Sequence, residues 1–509
     1  MAKKPLMTFQ RHVTWTNVHG NIKITCERLY DVLNRWDDGT TPPDASRFKA
    51  GLAGLAQIVR DAEATGKRVR AQGGGWSLSQ IATSEDFLVN TKLLNAINIG
   101  FKAANVAPEF TGDRQRVVFA QCGTSVMELN HALESRGLAL PTSGASNGQT
   151  ICGAIATGTH GSNRRLGAMH DTILGLHLIA AGGNGYWLES PTRPLASEAF
   201  AAVLGAKLLR DEQLFRAAVV GLGSFGLIHA VAFEAVPLYT LEARGKRYDH
   251  ADALPVLSTL QVAPLKLARG EQVPDHFEVV FDPYADGKGA KGAYVRYMYQ
   301  LNNAPALNQP GGGTFTSPGQ DVLGLLGAIT SAAPALIKPI AAESFGRLKE
   351  GGPTLKSLGD TFGPTGIIGY VMSSEIGVAL ADAQRAVEAI LRVSRNFPWA
   401  GLVAVRYVRA SQALMAFTHF APITATIELP AAGSERTAEA YERIWDELER
   451  LQIPFTLHWG QMLRYDPARV RKAFGERATQ WVVARQRFLD VQARHTFSNT
   501  LIQGAGLAI

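Results

Sequence analysis

The chain has 509 residues, too long for one compact hydrophobic core, which predicts two or three domains. Apolar residues make up 46% and charged residues 19%, an ordinary globular composition that excludes a disordered chain. The formal net charge of +7 is spread thinly, with no Lys/Arg-rich run of the kind that tracks nucleic acid, so a nucleic-acid partner is excluded.

The opening stretch, MAKKPLMTFQRHVTW, has two lysines but no apolar run, so no secretory signal is expected. Cys26, Cys122 and Cys152 form no CxxC and no metal-like spacing. That sparse, odd count fits a reducing compartment, the cytoplasm, with neither a disulfide framework nor a metal.

GLAGLAQIVRDAEATG places Leu52, Leu55, Ile58, Val59 and Ala62 at helical spacing and stops at Gly66. KRVRAQ reads as a strand that runs into three consecutive glycines, Gly73 to Gly75. RQRVVFAQCG is a second strand. The helix TSVMELNHALESRG follows, with Ser125 and Glu128 placed for a capping box and Gly137 for the C-terminal cap. Residues 140–167, LPTSGASNGQTICGAIATGTHGSNRRLG, are dense in small and hydroxyl side chains. The first region ends in a helix, a Gly-rich turn and an apolar strand, FRAAVVGLGSFGLIHAVAFEAVP.

After Leu241 the strands lengthen and alternate, as in DHFEVVFDPY, KGAYVRYMYQ and ITATIELP. The amphipathic helices LADAQRAVEAILRVSR and SERTAEAYERIWDELERLQ fall between them, which predicts an antiparallel sheet backed by helices. Residues 322–342 are apolar for nearly a membrane span, but Pro334, Lys338 and Pro339 interrupt them. A lid-forming helical pair over a substrate channel is favoured over a membrane contact. The last ~35 residues are helical again, too few for a third domain, and are expected to dock back on the first.

Consecutive backbone N–H groups make an anion site, and glycine lets phosphate oxygens approach with no Cβ in the way, which suits Gly73 to Gly75 to a diphosphate. The loop is neither a Walker sequence nor GxGxxG. In the second stretch Ser143, Ser146, Thr150, Thr157 and Thr159 offer hydroxyls to something flat and extended, a dinucleotide.

The order RVRAQGGGWS, LPTSGASNGQTICGAIATGTHGS and FRAAVVGLGSFGLIHAVAFEAVPLY resembles the FAD-binding domain of the vanillyl-alcohol oxidase (PCMH-type) superfamily, over about Thr41 to Tyr239. VAVRYVRAS and FTLHWGQML further resemble the substrate domain of its aldonolactone oxidase, alditol oxidase and type-II cholesterol oxidase branch. The resemblance implies an α+β fold: a two-subdomain FAD-binding domain over residues 1–240, and a substrate (cap) domain with a large antiparallel sheet flanked by helices over 241–475. A helical segment, 476–509, would return to the first domain.

It also implies that Gln72, Gly73, Gly74, Gly75, Trp76 and Ser77 cradle the pyrophosphate. Gly144, Ala145, Ser146 and Thr150 would follow it, and Gly153, Ala154, Ala156, Thr157, Gly158, His160 and Gly161 would run along the ribityl chain and flavin. Leu227 and Ile228 would meet the adenine. Hydride would pass from a substrate alcohol C–H to flavin N5, with oxygen or another acceptor taking the electrons.

Several positions depart from the family pattern. Many relatives join flavin to a histidine where this chain has Trp76, and no histidine lies between His19 and His131, so a dissociable FAD is expected. Cys152 is offset from the second attachment point and reads as a small buried filler. Sugar-oxidising relatives have Glu-x-Arg where this chain has Ala404 and Arg406, and often a Lys where it has Gln461.

Arg406 is expected to stabilise an oxyanion, His458 to act as base and Gln461 to orient substrate. Glu375, read as lying just before a helix, and His419 are further catalytic candidates. Loss of the family's Glu and Lys predicts a bulky, rather apolar alcohol. The alternatives are a sugar-lactone, alditol or hydroxy-acid substrate, the last needing Arg409 or Arg296 in the pocket, or an FAD-binding scaffold without turnover.

Overall fold

The computed structural model describes residues 3–41, 48–302, 334–363 and 370–509. The chain begins with a long antiparallel hairpin, Pro5–Thr16 paired with Lys23–Trp36. Parallel strands Phe87–Asn90 and Val69–Gln72 extend it into a four-stranded sheet. The expected first helix is Phe48–Ala64 and buries Leu55, Ile58, Val59 and Ala62. It also buries Gly51 and Gly54 against this sheet. A Cβ at Gly51 would lie 2.5 Å from the Leu94 side chain, so the close approach requires glycine.

A six-stranded sheet stands behind, in the order Ala206–Arg210, Gly185–Glu189, Ile173–Ile179, Leu227–Glu234, Val117–Gln121 and Ile97–Ile99. The helix Val126–Glu134 starts with the capping box expected from Ser125 and Glu128.

The strands from Thr240 to Leu457 form one eight-stranded antiparallel sheet. Its alternation separates two faces. Phe277, Val279, Val405, Tyr407, Ile427 and Ile376 join one apolar core with Ile390, Tyr441, Ile444 and Trp445. Those last four belong to the helices Ala383–Asn396 and Glu435–Arg450. The intervening residues Glu278, Arg406, Glu428 and Glu375 therefore share the opposite face. Glu375 corrects the sequence reading, because it lies within the strand Val371–Ala379 and is 3% exposed. The period-2 placement of Ile376 and Val378 outweighed the helix signal that follows.

The C-terminal helices contact the first half of the chain. Arg485 Nε donates to Ser224 O at 2.9 Å, and Trp481 packs edge-on against Phe225 at 5.1 Å. Residues 322–333 of the apolar segment lie outside the described residues. Its remainder enters the helix Ile337–Gly346, which buries Ile337 and Ile340 against Ala400 and Ala432. Among the described residues no helix is long and apolar enough to cross a membrane.

Candidate active site

A continuous cleft runs from the glycine loops to the polar face of the large sheet. Gln72 to Ser77, Ala145, Ser146 and Thr150 line it, with Gly153, Ala154, Ala156, Thr157 and His160 beyond them. Leu227 and Ile228 lie in the wall next to Leu222, Gly223 and Gly226. Three segments distant in sequence thus meet on one trough.

Gly144, Gly158 and Gly161 stand outside the lining. Their role is local packing: a Cβ at Gly144 would lie 2.7 Å from Thr159, and one at Gly161 2.2 Å from the Thr142 hydroxyl. Gly158 takes φ +87° to end the short helix Ile151–Thr157.

The glycines answer to each other before they answer to any ligand. A Cβ at Gly73 would fall 2.1 Å from Thr150 Oγ1, and one at Gly74 2.6 Å from Gly148 O. Trp76 lies across this junction, its indole 2.0 Å from where a Gly148 Cβ would be. The first loop is also tied to the large sheet, since Leu78 N donates to Gly460 O at 2.8 Å and Ser79 Oγ to Trp459 O at 2.5 Å.

At the other end of the cleft, buried charges cross four neighbouring strands. Glu278 pairs in register with Arg406, Ala404 with Glu428, and Glu428 with Glu375. Arg406 Nε donates to Glu278 Oε1 at 2.7 Å, and its Nη1 lies 3.6 Å from Glu375 Oε1. Its Nη2 is 2.6 Å from Glu428 Oε2, off the N–H axis, so that contact is one of charge rather than a linear hydrogen bond. Burial alone would lower the Arg406 pKa, but Glu428, Glu278 and Glu375 together raise it.

Glu428 thus faces Ala404 across the ladder, and Glu428 and Glu278 both place carboxylates on Arg406. Neither was legible as a site residue, because register cannot be read from a single strand. Surrounded by carboxylates, Arg406 is a poor receptor for an oxyanion, which corrects its expected role.

His458 follows the strand Phe455–Leu457, and its backbone N–H donates to Glu375 O at 2.9 Å. Its Nδ1 accepts from Gly460 N at 2.9 Å, so in the neutral ring the proton sits on Nε2. Burial pushes its pKa down to about 4, against the pull of Glu375. A neutral His458 therefore donates from Nε2, and its one lone pair is already in use, which corrects the reading of it as base.

His160 meets an acceptor at each nitrogen, Gly161 O at 2.7 Å and Glu375 Oε1 at 2.8 Å. Burial would raise the Glu375 pKa, but the charge and hydrogen bond of His160, with the charge of Arg406 further on, hold it well below the usual carboxylate range. Gln461 Nε2 contacts Glu375 Oε2 at 3.4 Å, and Ser373 Oγ contacts Glu428 Oε1 at 3.4 Å.

His419 is not part of this group. Its ring stacks on Phe420 at 4.5 Å, and its Nε2 bonds Ala473 O at 3.1 Å, outside the cleft lining. Arg296 is buried 3.9 Å from Glu278, and Arg409 is exposed at the end of its strand. Among the further cleft residues that the sequence did not single out are Arg70 and His19.

Arg70 gives a test of whether an anionic cofactor suits the trough. It is 3% exposed, and its hydrogen bonds go to the carbonyls of Ile81, Leu222 and Gly223, with no carboxylate paired to it among the described residues. Burial pulls its pKa down to about 9. A buried cation of this kind, beside a side-chain-free loop, matches a diphosphate and so the FAD group.

The family profile described as "FAD binding domain" matches residues 51–189. Among curated proteins the chain is 29% identical over 264 residues to L-gulono-1,4-lactone dehydrogenase of Mycobacterium tuberculosis, covering 52% of this chain and 50% of that protein. It is 28% identical over 194 residues to D-arabinono-1,4-lactone oxidase of Yarrowia lipolytica, covering 38% and 32%. The match thus spans no more than about half the length of these relatives.

A solvent-stable cholesterol oxidase has the same fold, with a TM-score of 0.69 at 14% identity over 99% of this chain and 98% of that one. Cholesterol oxidase from B. sterolicum gives 0.69 at 12% over 98% and 97%. Residues 51–189 thus carry an FAD-binding domain, FAD is the cofactor, and the chain as a whole shares the fold of these cholesterol oxidases.

Proposed function

We propose that the chain is an FAD-dependent oxidoreductase acting on a CH–OH group of a neutral, polyhydroxylated small molecule of the sugar-lactone or alditol class. The observation that carries this reading is the make-up of the cleft beyond the glycine loops. There the large sheet and its end contribute Ser373, Glu375, Arg406, Glu428, His458, Gly460 and Gln461, all polar or glycine.

Buried carboxylates accept hydrogen bonds from substrate hydroxyls and repel an anion. With Arg406 and Arg296 already facing Glu278, the hydroxy-acid reading loses the free cation it needs. The bulky, apolar alcohol rested on a missing carboxylate, which Glu428 and Glu278 replace. Its other support was the 322–342 segment, most of which lies outside the described residues.

The chemistry FAD supplies when bound is acceptance of a hydride, later passed as electrons to oxygen or another acceptor. Around it, the chain's own residues position and polarise. His458 Nε2 donates to the substrate oxygen, and Glu375 Oε2, which among the described residues has only the 3.4 Å contact from Gln461, accepts from the reacting hydroxyl. His160 fixes the orientation of Glu375 from behind.

Residues 1–240 then hold the cofactor, 241–475 the substrate, and 476–509 brace the first part. Gln72 to Ser77, with Thr150 to Thr157, are the cofactor-contacting residues in this reading. Three buried free cysteines fit a cytoplasmic setting.

The test is anaerobic bleaching of the yellow holoprotein. Aldonolactones or alditols are expected to bleach it, and simple hydroxy acids and sterol-like alcohols are not. Bleaching by the apolar alcohols alone overturns the substrate class. A yellow colour that stays with acid-precipitated protein overturns the dissociable cofactor.

A further inference from the structure

The hairpin at the start of the chain lies outside residues 51–189, yet its tip reaches the first glycine loop. The tip meets four successive loop carbonyls. Val18 N donates to Gly75 O at 3.0 Å, and His19 Nε2 bonds Trp76 O at 2.9 Å. Asn17 Nδ2 donates to Ser77 O at 3.0 Å and Asn21 Nδ2 to Leu78 O at 2.8 Å. The tip is itself braced, since Asn17 Nδ2 donates to Asn21 Oδ1 at 2.6 Å and Ile22 N to Asn17 Oδ1 at 3.0 Å. Gly20 takes φ +73° to close the turn.

In a trans peptide the N–H of the next residue points opposite to the carbonyl. Holding the carbonyls of Gly75 to Leu78 against the hairpin therefore turns the following N–H groups away from it. Loop carbonyls left free to rotate would present oxygen to the diphosphate and repel it.

His19 has a second feature. A carbonyl only accepts, so Nε2 carries the proton and Nδ1 carries the lone pair. His19 is 5% exposed and lines the cleft, and its Nδ1 is buried with no hydrogen-bond partner among the described residues. Its ring also meets Trp76 edge-on at 5.6 Å. Burial holds its pKa below the ordinary value, keeping the ring neutral.

We propose that Asn17 to Asn21 form a clamp that fixes the glycine loop in its anion-binding conformation, with His19 as a positioning residue that holds the Trp76 carbonyl through Nε2. This rests on the cofactor reading above.

The experiment is FAD titration of cofactor-stripped protein, read by quenching of flavin fluorescence, alongside thermal unfolding of the same FAD-free samples. His19→Ala is expected to weaken FAD binding about tenfold or more, as loss of a buried hydrogen bond implies. The FAD-free midpoint should move by less than about 2 °C. His19→Gln, whose amide can donate to Trp76 O, is expected to restore affinity to within about threefold.

Asn21→Ser shortens the reach to Leu78 O while leaving His19 in place, and should weaken binding about threefold; it keeps the test open if His19→Ala fails to fold. Unchanged affinity in the variants beside a wild type that binds FAD overturns the clamp alone. So does a parallel fall in affinity and FAD-free stability with no recovery in His19→Gln. A wild type that takes up no FAD overturns the cofactor reading and the clamp with it.

Discussion

The two ends of the cleft are built on opposite principles. At the cofactor end the working surface is backbone: Gly73, Gly74 and Gly148 are stripped of side chains so that two loops and one indole can interlock. At the substrate end it is side chain: Glu278, Arg406, Glu428, Glu375 and His160 are buried together. The first end tolerates no added volume, and the second tolerates no removed charge. A glycine trough suits any diphosphate of the right shape, whereas in the proposed function the balanced charge cluster is what selects the substrate.

The largest effect is expected from Arg406→Ala. It leaves three buried carboxylates without their shared cation, and breaking such a set costs roughly 3–5 kcal/mol. Chemical denaturation should show that loss. A change under about 1 kcal/mol would mean the cluster is wetter than its burial implies.

Acid sharpens the contrast from the cofactor half. Gln121 Nε2 lies 2.9 Å from His229 Nε2, and the two histidines meet through Nδ1 at 2.9 Å, so both rings are neutral. Burial lowers the His229 pKa to about 3, and burial followed by His229 lowers that of His177 well below 6.5. Because their folded pKa values are depressed, unfolded chains take up protons first as pH falls below 6.5. Stability present above that pH is lost below it, by up to about 1.4 kcal/mol per ring per pH unit. Denaturant midpoints at pH 7.5 and 5.5 measure this, and replacing both rings should flatten the difference.

Gly148→Ala should cost about 1–3 kcal/mol by driving a methyl into Trp76. Combining it with Trp76→Leu should recover part of that, and simple additivity would show the two do not share the slot. The smallest effect is expected from Gln461→Ala: a rise in KM of a fewfold, with stability within about 0.5 kcal/mol. Steady-state kinetics beside thermal unfolding separate the two.

Much of the cofactor half was legible because it is written locally. Gly73 to Gly75, Thr150 and Ile228 announce themselves by composition and order, and the capping box at Ser125 by a three-residue spacing. The substrate half was not. Glu278 and Glu428 look like ordinary strand carboxylates, and Glu375 was taken for a residue preceding a helix. His458 looked like a base until Gly460 was found at its Nδ1, and His419 looked like a neighbour of the site until its ring was found on Phe420.

By itself the amino-acid order determined the element types, the helix caps and the three side-chain-poor stretches, since these depend on neighbours a few residues apart. Only the tertiary structure decided that Ala404 faces Glu428, that Arg406 is shared among carboxylates, and that a hairpin tip near position 19 meets the loop after Gly75. Register and burial place groups tens to hundreds of residues apart within hydrogen-bonding distance, and no local pattern encodes which of them will meet.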